Sequence, residues 1–269
     1  MENLRQAVER ARGHQKQQDR ESPRQQARQV LGDAHESRER TQEVELDSAH
    51  LQSHRIVAYD GKDLRSRSFD MLRTEILQSM GQRGWKTLAV TSPTPDCGKT
   101  FIAVNLALSM ARQPEGQVFL ADLDLRKPHV ATCLGLKGKE GVVGVIEGRV
   151  ELLGATVEAR IGDSRLDILP TVPASNSSDM VCSSAMRMLL EEITGRSQSR
   201  IVILDLPPLL TGHDAISILP QVDCVLLVAA VGTTKVSEIK ECNKYLDGTD
   251  VVRFVLNKVP ESATTYAYY

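Results

Sequence analysis

The sequence predicts an α/β fold with a mainly parallel, doubly wound sheet. Short apolar runs alternate with segments of helical periodicity, acidic residues follow two of these runs, and a loop ending in Gly98-Lys99-Thr100 joins another run to a helix. Alternating strands and helices require crossover connections, which place helices on both faces of a parallel sheet. Loops and acids at the carboxyl ends of such strands lie where open α/β sheets bind their ligands.

The elements follow from the same alternation. Strands are expected at residues 87–91, 118–122, 166–169, 201–205, 224–229 and 251–256. Helices are expected at residues 99–112, 141–147, 178–193, 214–219 and 235–246. A further helix that packs on the domain is predicted by the helical spacing of Phe69, Leu72, Ile76 and Met80.

Composition divides the chain into three parts. Residues 1–44 are rich in Gln, Arg and Glu and contain no aromatic residue, which predicts a polar extension, disordered or partly helical. A docking element for a partner is the alternative interpretation. Residues 45–259 are expected to form a single domain with a substantial core. Residues 260–269 are expected to form a flexible tail, which contains three of the five tyrosines, Tyr266, Tyr268 and Tyr269.

The loop before the helix predicted at 99–112 has the features of a phosphate cradle. It follows the apolar run Leu88-Ala89-Val90 and ends in Gly-Lys-Thr. Backbone N–H groups and the positive end of the helix would face an anion, Lys99 would neutralise the outer phosphates, and the Thr100 hydroxyl is a hard oxygen ligand for Mg²⁺. The residues expected to line the nucleotide are Pro95, Asp96, Cys97, Gly98, Lys99, Thr100 and Phe101.

Acidic residues end two of the predicted strands. Asp122 and Asp124 follow one apolar run, and Asp205 follows another. A magnesium-bound nucleotide needs acids of this kind, some to hold the metal and its waters and one to accept a proton from the attacking group. A single acid after an apolar run is more often a turn or helix cap. Their combination with the Gly-Lys-Thr loop favours a nucleotide site.

Charge and cysteine content exclude several other classes. The formal net charge of −2 gives no support for nucleic-acid binding. The five cysteines are widely spaced, with no metal-ligand or redox spacing, so we expect reduced and mostly buried thiols. No apolar run approaches the roughly 18 residues needed to cross a bilayer. Any membrane association is expected to come through a partner.

The motifs resemble those of the bacterial tyrosine autokinases of capsule and exopolysaccharide synthesis, P-loop proteins related to the Min and Par ATPases. The family loop, roughly Ser-x-x-Pro-Gly-x-Gly-Lys-Thr, is matched by Ser92, Pro95, Gly98, Lys99 and Thr100. A second motif, Asp-x-Asp-x-Arg-(Arg/Lys)-Pro, is matched by Asp122, Asp124, Arg126, Lys127 and Pro128. A third, Asp-x-Pro-Pro, is matched by Asp205, Pro207 and Pro208, and the family's C-terminal tyrosine cluster by Tyr266, Tyr268 and Tyr269.

This resemblance implies a P-loop NTPase-type fold and an ATP- and Mg²⁺-dependent kinase that phosphorylates its own tyrosine tail. It implies that Thr100, Asp122 and Asp205 serve the metal, that Asp122 is the base and that Asp124 assists at the metal. Arg126 would stabilise charge on the transferred phosphoryl group, and Asn257 matches a position that contacts the adenine base. The implied partners are a membrane chain-length regulator and further copies of the chain.

Two positions depart from the family pattern. Asp96 stands where the family has a loop glycine, and a carboxylate about 5 Å from a phosphate oxygen would repel it by roughly 3 kcal/mol at an effective dielectric of 20. The family's Glu-x-x-Arg-x-x-Arg helix, used in ring assembly, is matched by Arg67, Asp70 and Arg73, with the first two charges exchanged. A non-kinase ATP-binding assembly or partitioning switch, or a catalytically weakened regulatory subunit, is therefore the alternative hypothesis.

Overall fold

A computed structural model describes residues 41–114, 116–137, 140–195 and 200–260 of the 269-residue chain. Within these residues one sheet contains eight strands. They are β1 (Gln42–Glu45), β2 (Thr87–Thr91), β3 (Val118–Asp122), β4 (Val157–Ile161), β5 (Ser164–Leu169), β6 (Ile201–Asp205), β7 (Cys224–Ala230) and β8 (Asp250–Asn257). Their order is β1-β4-β5-β3-β6-β2-β7-β8. All neighbouring strands pair in parallel except the antiparallel pair β4–β5.

Helices cover both faces of this sheet. On one face lie α1 (Ser48–Ser53), α2 (Arg67–Arg83), α3 (Lys99–Ala111) and α4 (Val130–Leu134). On the other lie α5 (Gly141–Ile146), α6 (Leu152–Ala155), α7 (Ser177–Val181), α8 (Ser184–Gly195), α9 (Asp214–Ile218) and α10 (Val236–Asn243). Short 3₁₀ turns occupy Leu64–Ser66, Leu209–Thr211 and Leu219–Gln221.

The central strands contribute to two separate cores. In β2, Leu88 and Val90 belong to the core beneath α1–α4, while Ala89 belongs to the core beneath α5–α10. Successive side chains of a strand point to opposite faces, so a strand covered on both sides is apolar throughout. The predicted doubly wound α/β fold, mainly parallel, is confirmed.

Most predicted strands lie where the sequence placed them. The bounds of β2, β3 and β6 are those expected, and β5, β7 and β8 are longer by one or two residues. Two strands were not predicted, β1 and β4, because charged residues alternate with apolar ones in these short segments. Since β1 begins at Gln42, the sheet includes the last residues of the segment expected to be an extension. Predictions for residues 1–40 and 261–269 fall outside the described residues.

The single helix predicted at 178–193 is wrong, because two helices, α7 and α8, occupy this segment. The Ser183 hydroxyl donates to the Met180 carbonyl at 2.6 Å and accepts from the Met186 N–H at 3.1 Å. One side chain therefore ends α7 and caps α8. Apolar periodicity continues through the break, which is why the sequence suggested one helix.

The helix that begins at the phosphate loop is held in place by a polar cluster. Asp70 of α2 accepts hydrogen bonds from Ser109 of α3 at 2.7 Å, from Arg112 at 3.0 Å and from Arg73 at 3.1 Å. Arg73 also donates to the Ser109 carbonyl at 2.8 Å. Two of the three residues that match the ring-assembly motif thus make contacts inside the chain, whereas Arg67 is exposed.

Two further expectations concern membranes and thiols. No helix in the described part of the chain has the length and apolarity needed to span a bilayer. All five cysteines are free thiols. Cys97, Cys133, Cys224 and Cys242 are buried and Cys182 is exposed, as expected for mostly buried, reduced residues.

Candidate active site

The loop between β2 and α3 takes backbone conformations that its residue types permit. Asp96 and Gly98 both have positive φ, 62° and 88°. A side chain at position 98 would also collide with its surroundings, since a Cβ there would lie 2.1 Å from Nδ2 of Asn257. Asp96 is exposed and, as an acid, tolerates the left-handed region better than most residues.

Three predicted nucleotide-binding residues support the loop in this structure. The Asn257 side chain donates to the Cys97 carbonyl at 2.9 Å, which fastens the end of β8 to the loop. The Cys97 side chain is fully buried, with its sulfur 3.4 Å from the Thr234 hydroxyl. Phe101 packs edge-on against Phe69 of α2, with ring centroids 5.7 Å apart. The predicted contact between Asn257 and an adenine base stays a prediction.

Lys99 lies between two acids. Its Nζ is 2.8 Å from Oδ2 of Asp124 and 3.6 Å from Oδ1 of Asp205. Burial alone would lower the pKa of Lys99, but the carboxylates of Asp205 and Asp124 outweigh it, so the pKa is raised. The lysine is therefore a fixed cation at the start of α3, in the position where a phosphate cradle needs one.

A hydrogen bond between Thr100 and Asp205 joins the start of α3 to the end of β6. The Thr100 hydroxyl donates to Oδ2 of Asp205 at 2.6 Å. The other oxygen of Asp205, Oδ1, is buried and accepts no hydrogen bond among the described residues, and its nearest cation is the Lys99 ammonium at 3.6 Å. Burial raises the pKa of the Asp205 carboxyl, and Lys99 and the Thr100 hydroxyl offset only part of that rise. Because this oxygen faces a charge but accepts no hydrogen bond, it keeps the capacity to accept one from a ligand or a bound water.

Asp122 is completely buried and bonded to backbone N–H groups. Its Oδ2 accepts from His129 and Val130, both at 3.0 Å, and its Oδ1 accepts from Asp124 at 3.2 Å. The carboxylate thus caps the start of α4. Burial first, and the nearby Asp205 carboxylate second, raise the pKa of Asp122 to about 8.

The residues present fit a magnesium ion. Thr100 and Asp205 offer hard oxygens at one point, and Oδ1 of Asp205, which accepts no hydrogen bond in the described part of the chain, could serve a metal or a water bound to it. No group of three or more His, Cys, Asp or Glu side chains in the described ranges converges on a metal position. In nucleotide sites Mg²⁺ keeps several waters and takes one or two carboxylates together with substrate phosphates.

Arg126 contacts side chains of α7 and α9. Its guanidinium donates to both oxygens of Asp214, at 2.8 and 3.1 Å, and to the Ser178 hydroxyl at 2.7 Å. Ser178 also donates to Asp214 at 2.8 Å. Burial would raise the pKa of Asp214, but the hydrogen bonds from Arg126 and Ser178 outweigh it, so the pKa is lowered. The predicted role of Arg126 at a phosphoryl group stays a prediction.

The structure brings together most of the predicted site residues. Lys99, Thr100, Asp122, Asp124 and Asp205 lie at the carboxyl ends of β2, β3 and β6, which are neighbours in the sheet. Tyr266, Tyr268 and Tyr269 fall outside the described residues. Sequence reasoning missed Asp214 and Ser178 as partners of Arg126, because an acid and a serine at helix starts resemble ordinary caps.

Comparison with known proteins relates the chain to bacterial kinases. It is 26% identical over 243 residues to the tyrosine-protein kinase wzc of Salmonella typhimurium, covering 89% of this chain and 33% of that protein. It therefore spans about a third of the length of this relative. No family model matches the chain.

Solved structures extend this relationship. The kinase domain of VpsO is 30% identical, with a TM-score of 0.63, and the match covers 73% of this chain and 97% of that domain. MinD from Pyrococcus horikoshii, solved in complex with Mg-ADP, is 18% identical to this chain, with a TM-score of 0.53. The match covers 66% of this chain and 75% of MinD, and it shows that the two share a fold. Since the VpsO domain is matched almost in full, the chain belongs to the bacterial tyrosine-kinase family of P-loop proteins.

Proposed function

We propose that this chain is an ATP- and Mg²⁺-dependent protein-tyrosine kinase that phosphorylates its own C-terminal tail. The observation that carries the proposal is the placement of Lys99 between Asp124 and Asp205 at the start of α3, with Thr100 bonded to Asp205. This is a charged, buried cluster at the start of a helix, where the phosphates of a nucleotide would face the helix end.

The proposed reaction transfers a phosphoryl group to a tyrosine. The tyrosine hydroxyl gives its proton to a carboxylate, its oxygen bonds to the γ-phosphorus, and the bond from that phosphorus to the bridging oxygen breaks, so that ADP leaves. Asp122 in its ionised form is the proposed base, since burial and the nearby Asp205 carboxylate raise its pKa and so its affinity for the tyrosine proton. Lys99 and the loop N–H groups hold the phosphates and oppose the charge that develops on them.

A bound Mg²⁺ would neutralise the phosphate oxygens, held by Thr100 and Asp205 directly or through water, with Asp124 assisting. These residues have a role before ATP arrives as well. Because Asp124 and Asp205 pair with Lys99, they keep the ammonium group in the cleft instead of in bulk water.

The proposed acceptors are Tyr266, Tyr268 and Tyr269, presented to a neighbouring copy in a homo-oligomer. The family to which the chain belongs supports a role in regulating polymerisation and export of bacterial exopolysaccharide or capsule. A membrane chain-length regulator is the proposed activator, and it would hold the kinase at the cytoplasmic face of the inner membrane.

The substitution Lys99→Met tests the site. It deletes the fixed cation, so Mg·ATP binding should fall by at least about tenfold and tyrosine phosphorylation should be lost. Calorimetry measures the binding, and mass spectrometry of the tail, with the partner and Mg·ATP present, measures the phosphorylation. Lys240→Met, on exposed α10, is the matched control and should change neither. Unchanged ATP affinity in Lys99→Met would show that the site is misplaced.

The competing proposal is an ATP-binding assembly switch without kinase activity. The exposed carboxylate of Asp96 in the phosphate loop favours it, because the charge opposes nucleotide phosphates. The same mass spectrometry separates the two. Phosphate on the tail tyrosines supports the kinase, and ATP binding without any phosphotyrosine supports the switch.

A further inference from the structure

The last strand of the sheet, β8, presents an open edge with exposed apolar side chains beside Arg253, which pairs with Glu75 of α2 at 2.9 Å. β8 ends the strand order, so no strand in the described part of the chain pairs with its outer side. Phe254 and Leu256 are 54% and 65% exposed. Beside them a groove of about 870 Å³ runs between β8 and α2. A strand edge with large exposed apolar side chains tends to recruit another strand, and folded proteins usually cover or charge such an edge.

The backbone of β8 offers hydrogen-bonding groups to such a strand. The Asn257 carbonyl accepts from Val231 at 3.0 Å and therefore faces β7. Because backbone groups alternate sides along a strand, the N–H and C=O groups of Leu256 and Phe254 face the outer edge. Apolar side chains lie on both sides of this edge, with Phe254 on one face and the partly buried Val255 on the other.

The chain itself continues from this edge into the tyrosine tail. Lys258 follows β8 with φ of 58°, a conformation found in turns, and Pro260 comes two residues later. The nine residues 261–269 would extend about 30 Å, against about 26 Å for the eight residues of β8. The tail is rich in Thr and Tyr, which favour strands, and carries a single charged side chain, Glu261.

We propose that residues 261–269, before phosphorylation, fold back and pair antiparallel with the outer edge of β8 as an additional strand. Side-chain alternation would place Tyr266 and Tyr268 on one face and Tyr269 on the other, so that apolar rings cover both sides of the edge. The covalent connection gives the tail a high effective concentration at its own edge, which favours it over the tail of a second copy. Pairing of this kind is the common mode in which extended segments bind open sheets.

Docking would also control access to the active site, an effect that rests on the proposed kinase function. Asn257 contacts the phosphate loop, so an antiparallel tail runs away from Lys99 toward the other end of β8. The tyrosines would then lie near the amino end of the strand, about 20 Å from the loop. The docked tail is withheld as an acceptor, and only the undocked fraction can enter a cleft.

Amide hydrogen exchange of the full chain tests the docking without ATP. The amides of Phe254 and Leu256 should exchange at least about tenfold more slowly in the unmodified chain than in a full-length variant carrying Thr265→Pro and Ala267→Pro, since proline cannot donate to a ladder. Equal exchange in the two proteins would overturn the proposal. Protection that disappears on tenfold dilution would also overturn it, because the occupant would then be another copy.

A pair of surface variants tests the contact from the β8 side. Leu256→Lys should remove the protection of the Phe254 amide. Val236→Lys, at an equally exposed apolar residue of α10, should leave it intact. With Mg·ATP and the partner added, Leu256→Lys should raise the initial rate of tail phosphorylation several-fold. If the β8 amides are protected but no phosphotyrosine forms, the docking proposal stands and the kinase proposal is rejected. If phosphotyrosine forms but the amides are not protected, the kinase proposal stands and the docking proposal is rejected.

Discussion

Asp96 places a carboxylate where the phosphate loop needs a left-handed backbone. The conformation is present, with φ of 62°, and the side chain is exposed. Exposure reduces the expected repulsion of a phosphate, because the effective dielectric approaches that of water. At about 5 Å and a dielectric of 80 the repulsion is about 0.8 kcal/mol, instead of roughly 3 kcal/mol at a dielectric of 20.

Removing this charge should therefore tighten Mg·ATP binding by about fourfold at low salt. Asp96→Asn is the better variant, since it deletes the charge and keeps a residue that tolerates positive φ. Asp96→Gly should give the same gain if charge alone is responsible. Calorimetry in low and high salt measures the effect, which should shrink as salt screens it. Equal affinity of all three proteins would mean that the carboxylate points away from the nucleotide.

The pKa of Asp122 predicts how stability depends on pH in the absence of nucleotide. The folded-state pKa of Asp122, about 8, lies above the ordinary value for Asp. Between about pH 4 and pH 8, the folded chain therefore keeps a proton on Asp122, whereas the unfolded chain does not. Stability therefore falls as pH rises through this window. Asp122→Asn should make the fall of unfolding free energy between about pH 5 and 8 less steep, as measured by urea denaturation at several pH values.

The matched control is Asp214→Asn. The pKa of Asp214 is lowered, so its contribution is present above the ordinary Asp value and is lost only as the pH falls below it. This variant should be less stable throughout the window without a change of slope. If Asp122→Asn keeps the slope of the unmodified chain, the buried carboxyl is already ionised between about pH 5 and 8, which contradicts the prediction.

At the scale of elements, the contact between α2 and α3 determines how firmly the phosphate loop is held. Asp70 gathers Arg73, Arg112 and Ser109 around one carboxylate. The side chains of the two arginines are 15% and 22% exposed, so neither has full access to water. Removing the acid leaves two partly buried cations and a hydroxyl without their shared acceptor.

Asp70→Ala should therefore lower the free energy of unfolding by about 1–3 kcal/mol. Chemical denaturation measures the change. Glu241→Ala breaks an exposed ion pair with Lys244 and should have no measurable effect. A change as small as that of the control would mean that the cluster is already solvated. ATP affinity should fall in Asp70→Ala as well, because α3 carries Lys99 at its start.

The elements also show how far the sequence alone could lead. The strands β2, β3 and β6 are apolar on both faces, so continuous apolar runs were sufficient to place them and the acids that follow. Contacts between distant positions could not be inferred in this way. Arg126 and Asp214 are 88 positions apart, and Asn257 and Cys97 are 160 positions apart. Only the folded sheet brings these pairs together, since local patterns contain no information on which strand ends become neighbours.

At the scale of the whole molecule, the doubly wound sheet brings the charged residues of the candidate site together at the carboxyl ends of three strands. β3, β6 and β2 are adjacent, so Asp122, Asp205 and Lys99 meet although they come from separate parts of the chain. β8, which precedes the tail, ends beside the same loop through Asn257. The tail therefore starts close to the candidate site of its own chain, and the twelve residues from Lys258 to Tyr269 span at most about 40 Å when extended. That reach is enough for the cleft of an adjacent copy.

Transfer between copies predicts the result of a mixing experiment. An inactive Lys99→Met chain that keeps its tail is mixed with an active chain that lacks residues 262–269, in the presence of the partner and Mg·ATP. Phosphate should appear on the inactive chain, at an initial rate that rises with the concentration of each protein. Mass spectrometry of Tyr266, Tyr268 and Tyr269 measures it, and the Lys99→Met chain alone should remain unlabelled.

The same mixture shows what phosphorylation does to the assembly. Each phosphate adds about −1.5 to −2 charges beside a cleft already lined by acids, so a labelled tail should leave the cleft and loosen the oligomer. Sedimentation of the mixture before and after labelling should show smaller particles as phosphate accumulates, while a mixture with a non-hydrolysable ATP analogue stays assembled. If the unmodified full-length chain is labelled but the inactive chain never is, transfer occurs within one chain, and the tail must reach its own cleft from the end of β8.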